Sequence, residues 1–276
     1  MFQDRRIHLK KPNEIALMRA AGLVVGRTLE VLRAAVKPGV TTADLDALAE
    51  EHIRASGATP SFKGYHGYPA SICTSVNDEV VHAIPSPDRT LREGDLVSID
   101  CGAIVDGWHG DAAITVAVGE VTPDLQELTR TCEEAMWRGI AAMRRDGRLS
   151  DVSAAVETYV RGRGDYGIVE DYVGHGIGTQ MHQPPNVPNV GRPGKGPRLV
   201  PGLAIAIEPM ITLGSNQTDV LDDDWTVVTR DGAYAAHVEH TVALTDKGPW
   251  VLTALDGGAA KLAELGVPAG SLAESK

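Results

Sequence analysis

The chain has 276 residues, 43% of them hydrophobic and 23% charged, so it is neither a disordered chain nor a fibrous repeat. Its 26 basic and 37 acidic residues leave a formal net charge of −11, and no segment gathers the Lys and Arg that nucleic-acid binding requires. No stretch approaches the roughly 18 apolar residues of a membrane span, so we expect a cytoplasmic protein that binds neither membranes nor nucleic acid.

The first part of the chain predicts two amphipathic helices. After a basic start at residues 5–11, which is expected to be solvated, apolar residues at helical spacing fill residues 12–36. This helix ends at the breaker Lys37-Pro38-Gly39. Thr41 then caps a second helix, which Gly57 stops.

The middle of the chain predicts a β-hairpin. Between residues 95 and 118, two strand patterns flank Asp106-Gly107, a dipeptide that favours a two-residue turn between antiparallel strands. Two further helices are predicted after the hairpin, at residues 123–145 and 150–163. Strand patterns then return at residues 203–213, 225–230 and 237–245.

The order of these elements indicates one α+β domain. Two helices and a hairpin are followed by two helices and strands, which suggests two halves of similar plan, although no close sequence repeat is present. No linker divides residues 1–256, which we assign to a single domain. Residues 257–276 lose the strand pattern and are expected to form a loosely attached tail.

Cysteine usage predicts neither disulfides nor a thiolate metal site. The three cysteines lie far apart and lack CxxC spacing. We therefore expect Cys73, Cys101 and Cys132 to be reduced.

Two acids in the hairpin point to a cation. Asp100 lies in an apolar strand pattern, and a turn at Asp106-Gly107 would place residue 102 opposite residue 111, so that Asp100 and Asp111 share a face. Either acid alone could be a structural residue satisfied by backbone donors. Together they repel unless they share a proton or hold a cation, and the local sequence offers no Lys or Arg. A bound cation is the simpler interpretation.

Further donors recur in the later strands. Glu208 and Glu239 each interrupt an apolar run, and His175 lies among three glycines, which let ligands approach the backbone closely. Each acid alone could be an edge residue, and a single His is usually a satisfied polar side chain. Four carboxylates with one imidazole exceed the needs of one ion and suit a pair of divalent ions such as Mn, Fe, Co or Zn. His182, seven residues after His175, and His82, in the segment from Val80 to Pro85, are further candidates for the site. His8, His52 and His109 stay unassigned.

These motifs, in this order and at these intervals, resemble type I methionine aminopeptidase. The resemblance runs from about Pro12 to Leu252 and implies the pita-bread fold, in which pseudo-twofold halves form a central antiparallel sheet covered by helices. The segments that carry it are Gly64 to Pro69, Asn77 to Pro85, Gly94 to Asp111, Gly174 to His182, Glu208-Pro209 and Glu239-His240-Thr241.

The resemblance implies a complete two-metal site. Asp100 would bind one ion, Asp111 and Glu239 would bridge both, and His175 and Glu208 would complete the other. Glu208 would also be the general base, and a bridging hydroxide would attack the first peptide carbonyl. The ions, identified no further than Co, Mn, Fe or Zn, would polarise that carbonyl.

The resemblance also implies how substrate is held. His182 would stabilise the tetrahedral intermediate, and His82 would contact the amide nitrogen beyond the scissile bond. Apolar and polarizable side chains would form the methionine pocket. Those pocket residues are Phe62, Tyr65, His66, Tyr68, Cys73, Met181 and Trp225.

The expected activity is removal of the N-terminal Met from nascent proteins and peptides, preferentially when the second residue is small. The expected protein is a monomer that touches the ribosome surface transiently. Three positions depart from the common bacterial pattern, with Met181 in place of Phe, Val81 in place of Cys and His237 in place of Gln. These changes concern the shape of the pocket, and every metal position is kept.

Two alternatives stay open on the sequence. Xaa-Pro aminopeptidases share much of this constellation, but they normally carry a large extra N-terminal domain, for which the segment before Asp95 is too short. A catalytically dead homologue that only binds peptides would normally have lost metal ligands. All of them are present here.

Overall fold

The computed structural model describes residues 6–272, and all statements below concern that part of the chain. No helix within it is long and apolar enough to cross a membrane. Five α-helices are present, α1 (Pro12–Ala35), α2 (Thr42–Ala55), α3 (Pro123–Ala142), α4 (Leu149–Arg163) and α5 (Ala259–Glu264).

The described residues also form fifteen β-strands, most of them short. They are β1 (Thr59–Pro60), β2 (Ile72–Val76), β3 (Glu79–Val81), β4 (Leu96–Val105), β5 (Trp108–Ala117), β6 (Gly167–Ile168), β7 (Gly174–Gly176), β8 (Gln183–Val187), β9 (Ala204–Ile207), β10 (Met210–Thr212), β11 (Thr218–Val220), β12 (Val227–Thr229), β13 (Ala235–His237), β14 (Glu239–Thr245) and β15 (Gly248–Val251).

An antiparallel sheet of nine strands runs through the molecule. Its main order is β1-β4-β5-β14-β9-β7-β8, while β2 pairs with β4 and β15 pairs with β14. Two three-stranded sheets, β13-β10-β6 and β11-β12-β3, lie beside it. Because β14 joins β5 to β9, the central sheet combines strands from both halves of the sequence.

Each half of the sheet has its own pair of helices and its own apolar cluster. Helices α1 and α2 pack on β2, β4 and β5, where Leu32, Ile53 and Ile99 are completely buried. Helices α3 and α4 cover the strands of the second half, with Ile140 and Ile205 completely buried. This arrangement matches the expected plan of two similar halves, each covered by helices.

The hairpin forms at the register that the turn dipeptide predicts. Asp106 and Gly107 both adopt positive φ, at 50° and 79°, as the two central residues of a tight hairpin turn of this kind require. Gly102 consequently pairs with Asp111. The boundary of α2 is also as expected, since the Thr41 side chain accepts from the backbone N–H of Asp44.

Three features differ from the sequence-based expectations. Helix α3 ends at Ala142 rather than near residue 145, because the chain turns there and runs into the start of α4. The sequence predicts that the basic start is solvated, but Lys10 in this segment is only 4% exposed. Its Nζ donates to Oε1 of Gln183 at 3.2 Å. Burial of its ammonium lowers the pKa of Lys10 to about 8.

The third difference is in the segment for which the sequence predicts a loose tail. Its described part, residues 257–272, packs on the body of the protein. Leu262 of α5 is completely buried, and the backbone N–H of Gly270 donates to the carbonyl of Pro249 at 2.7 Å. Leu262 and Val267 belong to the apolar cluster of the second half and attach this segment. Residues 273–276 lie outside the described part. The domain boundary at residue 256 stays a prediction.

Helix α1 approaches β5 so closely that only glycine fits at the contact. A Cβ at residue 110 would lie 2.7 Å from the backbone nitrogen of Gly22, closer than real Cβ contacts. We therefore expect Gly110→Ala to lower the free energy of unfolding by about 1–3 kcal/mol, measured by urea denaturation.

The matched control for that substitution is Gly162→Ala. Gly162 lies in α4, and no atom lies within 4 Å of the position that an alanine methyl would take there. Alanine at this position should therefore leave stability unchanged or raise it by about 0.5–1 kcal/mol. Equal stability of the Gly110→Ala variant and the unsubstituted protein would contradict the proposed close contact.

A candidate metal centre in the central sheet

A cavity opens over the middle of the nine-stranded sheet, and the site residues predicted from the sequence surround it. With one exception, every one of them lines this cavity. The lining residues are Phe62, Tyr65, Tyr68, Cys73, His82, Asp100, Asp111, His175, Met181, His182, Glu208, Trp225 and Glu239. The exception is His66, which is exposed on the turn Tyr65–Gly67 with its ring 4.4 Å from that of Tyr65.

Strand pairing brings three of the acids to one face of the sheet. Ala113 of β5 pairs with Asp100 of β4 on one side and with Glu239 of β14 on the other. Residues that pair directly across antiparallel strands point to the same face, as do residues two apart along a strand. Asp111 therefore faces the same side as Asp100 and Glu239.

The next strands of the sheet add the remaining donors. Ile207, the last residue of β9, pairs with His240, so Glu208 follows directly at the end of that strand beside Glu239. His175 is the middle residue of β7, the neighbour of β9 on the other side. Its Nε2 lies 3.4 Å from Oε1 of Glu208 and 4.0 Å from Oδ2 of Asp111.

The carboxylates are buried without the partners that buried charges normally have. Asp111 and Glu239 are 3% and 2% exposed. One oxygen of each acid, Asp100 Oδ1, Asp111 Oδ1, Glu208 Oε1 and Glu239 Oε1, is buried without a hydrogen-bond donor. The residues that line the cavity include no Lys or Arg. An isolated buried carboxylate is strongly unfavourable, so this arrangement calls for a positive species.

The electrostatics of the acids give the same indication. Burial, and then the neighbouring carboxylates, raise the pKa values of Asp111, Glu208 and Glu239 well above their usual range. Burial raises the pKa of Asp100 to about 7. Clustered acids that titrate this way either take up protons or bind a cation.

Divalent metal ions fit this set of donors. One ligand atom each from Asp111, His175 and Glu239 lies within 4.8 Å of the others, which is compatible with one shared ion. Burial lowers the pKa of His175 to about 3, so its imidazole is neutral and able to coordinate. Asp100 and Glu208 line the same cavity and add two further carboxylates to the donor set.

Two histidines, His182 and His82, line the same cavity but are not part of the donor set. His182 is exposed, its Nδ1 lies 2.8 Å from the Tyr65 hydroxyl, and its ring packs edge-on against His175 at 4.3 Å. His82 follows β3 with φ at 63°, an uncommon conformation for a residue other than glycine. Burial lowers the pKa of His82 to about 4, so this imidazole is also neutral.

An apolar pocket adjoins the donor cluster. Phe62, Tyr68, Cys73 and Met181 form a buried cluster against which Trp225 packs. The rings of Tyr68 and Trp225 meet edge to face at 5.0 Å. The Tyr68 hydroxyl lies 3.1 Å from each of two backbone carbonyls, so its ring is fixed in place. The pocket is therefore a preformed, polarizable surface of the kind that suits a thioether.

Sequence reasoning missed some neighbours of the site. Tyr172 packs edge-on against His82 at 5.5 Å, and Ile84 packs against the apolar pocket. Neither has a local signal, because both lie in coil segments whose contacts are long-range. His109, which the sequence assigns to no site, has a structural partner in the Ser61 hydroxyl at 3.0 Å.

Comparisons with known proteins agree on one family. Residues 16–246 match Metallopeptidase family M24. The Methionine aminopeptidase of Clostridium acetobutylicum is 53% identical over 247 residues, which cover 90% of this chain and 98% of that protein. The Methionine aminopeptidase 1 of Mycobacterium tuberculosis is 55% identical over 255 residues, with 90% and 96% covered. The crystal structure of methionine aminopeptidase from Rickettsia prowazekii has a TM-score of 0.88 and 38% identity, covering 90% of this chain and 100% of that chain.

The alternatives raised by the sequence are not favoured. The prolidase from Pyrococcus furiosus has a TM-score of 0.71 but only 21% identity, and the match covers 65% of its length, so this likeness shows the fold alone. Together, the helix-covered antiparallel sheet and these structural neighbours confirm the α+β pita-bread fold. The chain belongs to Metallopeptidase family M24 and, within it, to the methionine aminopeptidases, which makes it a metal-dependent hydrolase.

Proposed function

We propose that the chain removes the N-terminal Met from nascent polypeptides and peptides in the cytoplasm, with a preference for a small second residue, and that it uses two divalent ions. Its close relatives named methionine aminopeptidase support the reaction. The observation that carries the site assignment is the group of buried, unpartnered carboxylate oxygens beside a fixed apolar pocket.

Asp100, Asp111, His175, Glu208 and Glu239 would hold the ions. Four carboxylates and one imidazole are more donors than a single ion takes, which supports a pair rather than one. When bound, such ions act as Lewis acids toward the substrate carbonyl and increase the acidity of water.

Glu208 is the proposed general base. Its carboxylate lies at the end of β9, where it faces the cavity, and burial raises its pKa well above the usual value for Glu. A carboxylate with a raised pKa accepts a proton from water more readily near neutral pH. Glu208 would take that proton during attack and pass it to the leaving amine.

His182 is the proposed donor to the developing oxyanion. If the Tyr65 hydroxyl donates to Nδ1, the imidazole proton resides on Nε2, which is then free to donate to the carbonyl oxygen of the first residue. A hydrogen bond that strengthens as negative charge develops lowers the barrier. Tyr65 therefore acts as a positioning residue for His182.

His82 is proposed to contact the amide nitrogen beyond the scissile bond. Its neutral imidazole can accept a hydrogen bond from that N–H. The Tyr172 ring packs edge-on against the His82 ring at 5.5 Å. Because His82 lines the cavity, a bulky second residue would clash near this imidazole, which is the basis of the proposed preference for a small one.

The apolar pocket is proposed to hold the methionine side chain. Phe62, Tyr68, Cys73, Met181 and Trp225 offer apolar and sulfur-containing surface without a buried charge of their own. The thioether gains favourable contacts with aromatic ring edges and other sulfur atoms. Longer charged side chains would lose their hydration there.

The proposed function is tested with purified protein that has been stripped of metal by a chelator. After addition of Mn, Co, Zn or, under anaerobic conditions, Fe, the protein should release Met from Met-Ala-Ser, whereas the stripped protein should not. Met-Leu-Ser and Ala-Pro peptides serve as matched controls and should react slowly or not at all. Absence of Met release with all four ions would refute the proposal, and preferential cleavage of Ala-Pro would favour the Xaa-Pro alternative.

A further inference from the structure

A buried histidine outside the predicted ligand set lies directly behind Glu208. His237 is the last residue of β13 and is 2% exposed. Its Nε2 is buried without a hydrogen-bond partner and lies 4.0 Å from Oε2 of Glu208. The residues that line the cavity include Glu208 but not His237. His237 therefore faces the carboxylate from the side away from substrate.

The backbone of His237 is held against the central sheet. Its N–H donates to the Thr115 hydroxyl at 3.0 Å, and that hydroxyl in turn donates to the His237 carbonyl at 2.7 Å. Thr115 lies on β5, the strand that carries Asp111. His237 also pairs with Met210 of β10, two residues after Glu208. The positions of the imidazole and the carboxylate are thus coupled through two strand contacts.

Glu208 lies between two imidazoles, one near each oxygen. His175 Nε2 is 3.4 Å from Oε1, and His237 Nε2 is 4.0 Å from Oε2. His175 belongs to the predicted ligands, so Oε1 is the oxygen on the metal side of the carboxylate. Oε2 is left facing His237, whose Nε2 has no other hydrogen-bond partner.

The chemistry of the pair fits one hydrogen bond. A neutral imidazole carries a single N–H. A carboxylate oxygen only accepts, which favours the tautomer with the proton on Nε2. The hydrogen bond requires these two atoms, which lie 4.0 Å apart, to approach to the usual separation of about 2.9 Å.

We propose that His237 is a positioning residue that donates from Nε2 to Oε2 of Glu208 and so orients this carboxylate toward the metal ions. This inference rests on the proposed assignment of Glu208 as a ligand and base. Groups that hydrogen-bond to metal ligands fix their orientation, and their loss typically costs about 10- to 100-fold in metal affinity or activity. The same hydrogen bond would keep Oε1 of Glu208 directed at the donor cluster when substrate enters.

The test compares His237→Leu with His237→Gln. Leucine has similar bulk but no donor, whereas the side-chain amide of glutamine places an N–H near the position of the imidazole Nε2. Titration of the stripped proteins with Mn²⁺ in a calorimeter should show about 10- to 100-fold weaker binding for His237→Leu and wild-type binding for His237→Gln. Met release at saturating Mn²⁺ should fall in the first variant and be restored in the second.

His52→Leu is the control for loss of a partly buried imidazole. His52 bonds the Thr28 hydroxyl from α2, away from the cavity, so this variant should bind Mn²⁺ like the wild type. Thermal unfolding of the stripped proteins checks that all variants are folded. Wild-type Mn²⁺ affinity in His237→Leu, or equal loss in both His237 variants, would overturn the proposal. Because binding is measured without substrate, this result stands apart from whether the wild type releases Met.

Discussion

Replacing Asp111 with Asn is expected to abolish Met release while making the metal-free protein more stable. Asp111 is buried, and burial and the carboxylates of Glu239 and Asp100 raise its pKa well above the usual value for Asp. A neutral amide of the same shape removes one of four crowded acids. Urea denaturation with chelator at pH 7 should show a gain of about 1 kcal/mol or more, while turnover with Mn²⁺ falls by more than about 100-fold.

The stability gain should depend on pH in a defined direction. Because the pKa of Asp111 is raised in the folded state, its destabilising contribution to the metal-free wild type is absent below the unfolded pKa of about 3.9 and grows as the pH rises from there toward the folded pKa. The variant lacks this titration. Its advantage should therefore be absent near pH 3.5 and increase toward neutrality.

The control for Asp111→Asn is the same substitution at an acid whose oxygens are satisfied. Asp95 accepts from the Asn77 side chain with one oxygen and from the backbone N–H of Arg92 with the other. Asparagine can replace only one of these acceptors, so Asp95→Asn should lower stability by about 1 kcal/mol. If the metal-free Asp111→Asn protein is less stable than the wild type at pH 7, repulsion between the crowded acids is not the main factor that destabilises the metal-free protein.

Asp111→Asn is expected to lower activity and to raise the stability of the metal-free protein. Such opposite effects are typical of a functional site rather than of a structural core. A structural acid is retained because donors stabilise it, as at Asp95. Each of the four acids at the cavity instead keeps an oxygen without a donor, at a cost to the metal-free fold. Binding of divalent ions offsets this cost, so the ions should raise the unfolding temperature as well as supply the chemistry.

Local signals in the sequence are sufficient to predict the hairpin. The turn Asp106-Gly107 defines a register by itself, because a two-residue loop leaves only one way to pair the flanking strands. The shared face of Asp100 and Asp111 follows from that register. The helices are similarly accessible, since apolar periodicity and the cap at Thr41 are local properties of the chain.

Long-range pairing cannot be derived in the same way. Glu239 lies opposite Ala113 only because β14 inserts between β5 and β9, and nothing near either residue encodes that contact. Strands of two or three residues, such as β7 with His175, are too short to show a period. The resemblance to a known family supplies the connection between these motifs, and the residues alone indicate only that several acids need a cation.

The same limit explains the residues that the structure places differently. The resemblance groups His66 with the pocket, but its φ of 48° turns the chain and leaves the side chain exposed. The neighbouring basic residues predict that Lys10 is solvated. Its contact with Gln183 spans 173 residues along the chain and has no local signal.

Replacing His182 with Ala is expected to lower kcat for Met release by about 100- to 1000-fold and to leave Mn²⁺ affinity unchanged. His182 packs against the proposed ligand His175 but lies outside the group of donors within reach of one shared ion. Its proposed hydrogen bond forms mainly when the carbonyl oxygen becomes negative. The loss should therefore appear in kcat rather than in KM, measured with Met-Ala-Ser and saturating Mn²⁺.

Tyr65→Phe tests whether the orientation of His182 contributes to this effect. The phenyl ring keeps the packing against His182 but cannot donate to Nδ1, so the imidazole is no longer held with its proton on Nε2. We expect a smaller loss in kcat, about 10-fold, and no further loss when Tyr65→Phe is added to His182→Ala. Additive losses in the double variant would show that Tyr65 acts independently of His182, and a full wild-type kcat in His182→Ala would remove this histidine from the mechanism.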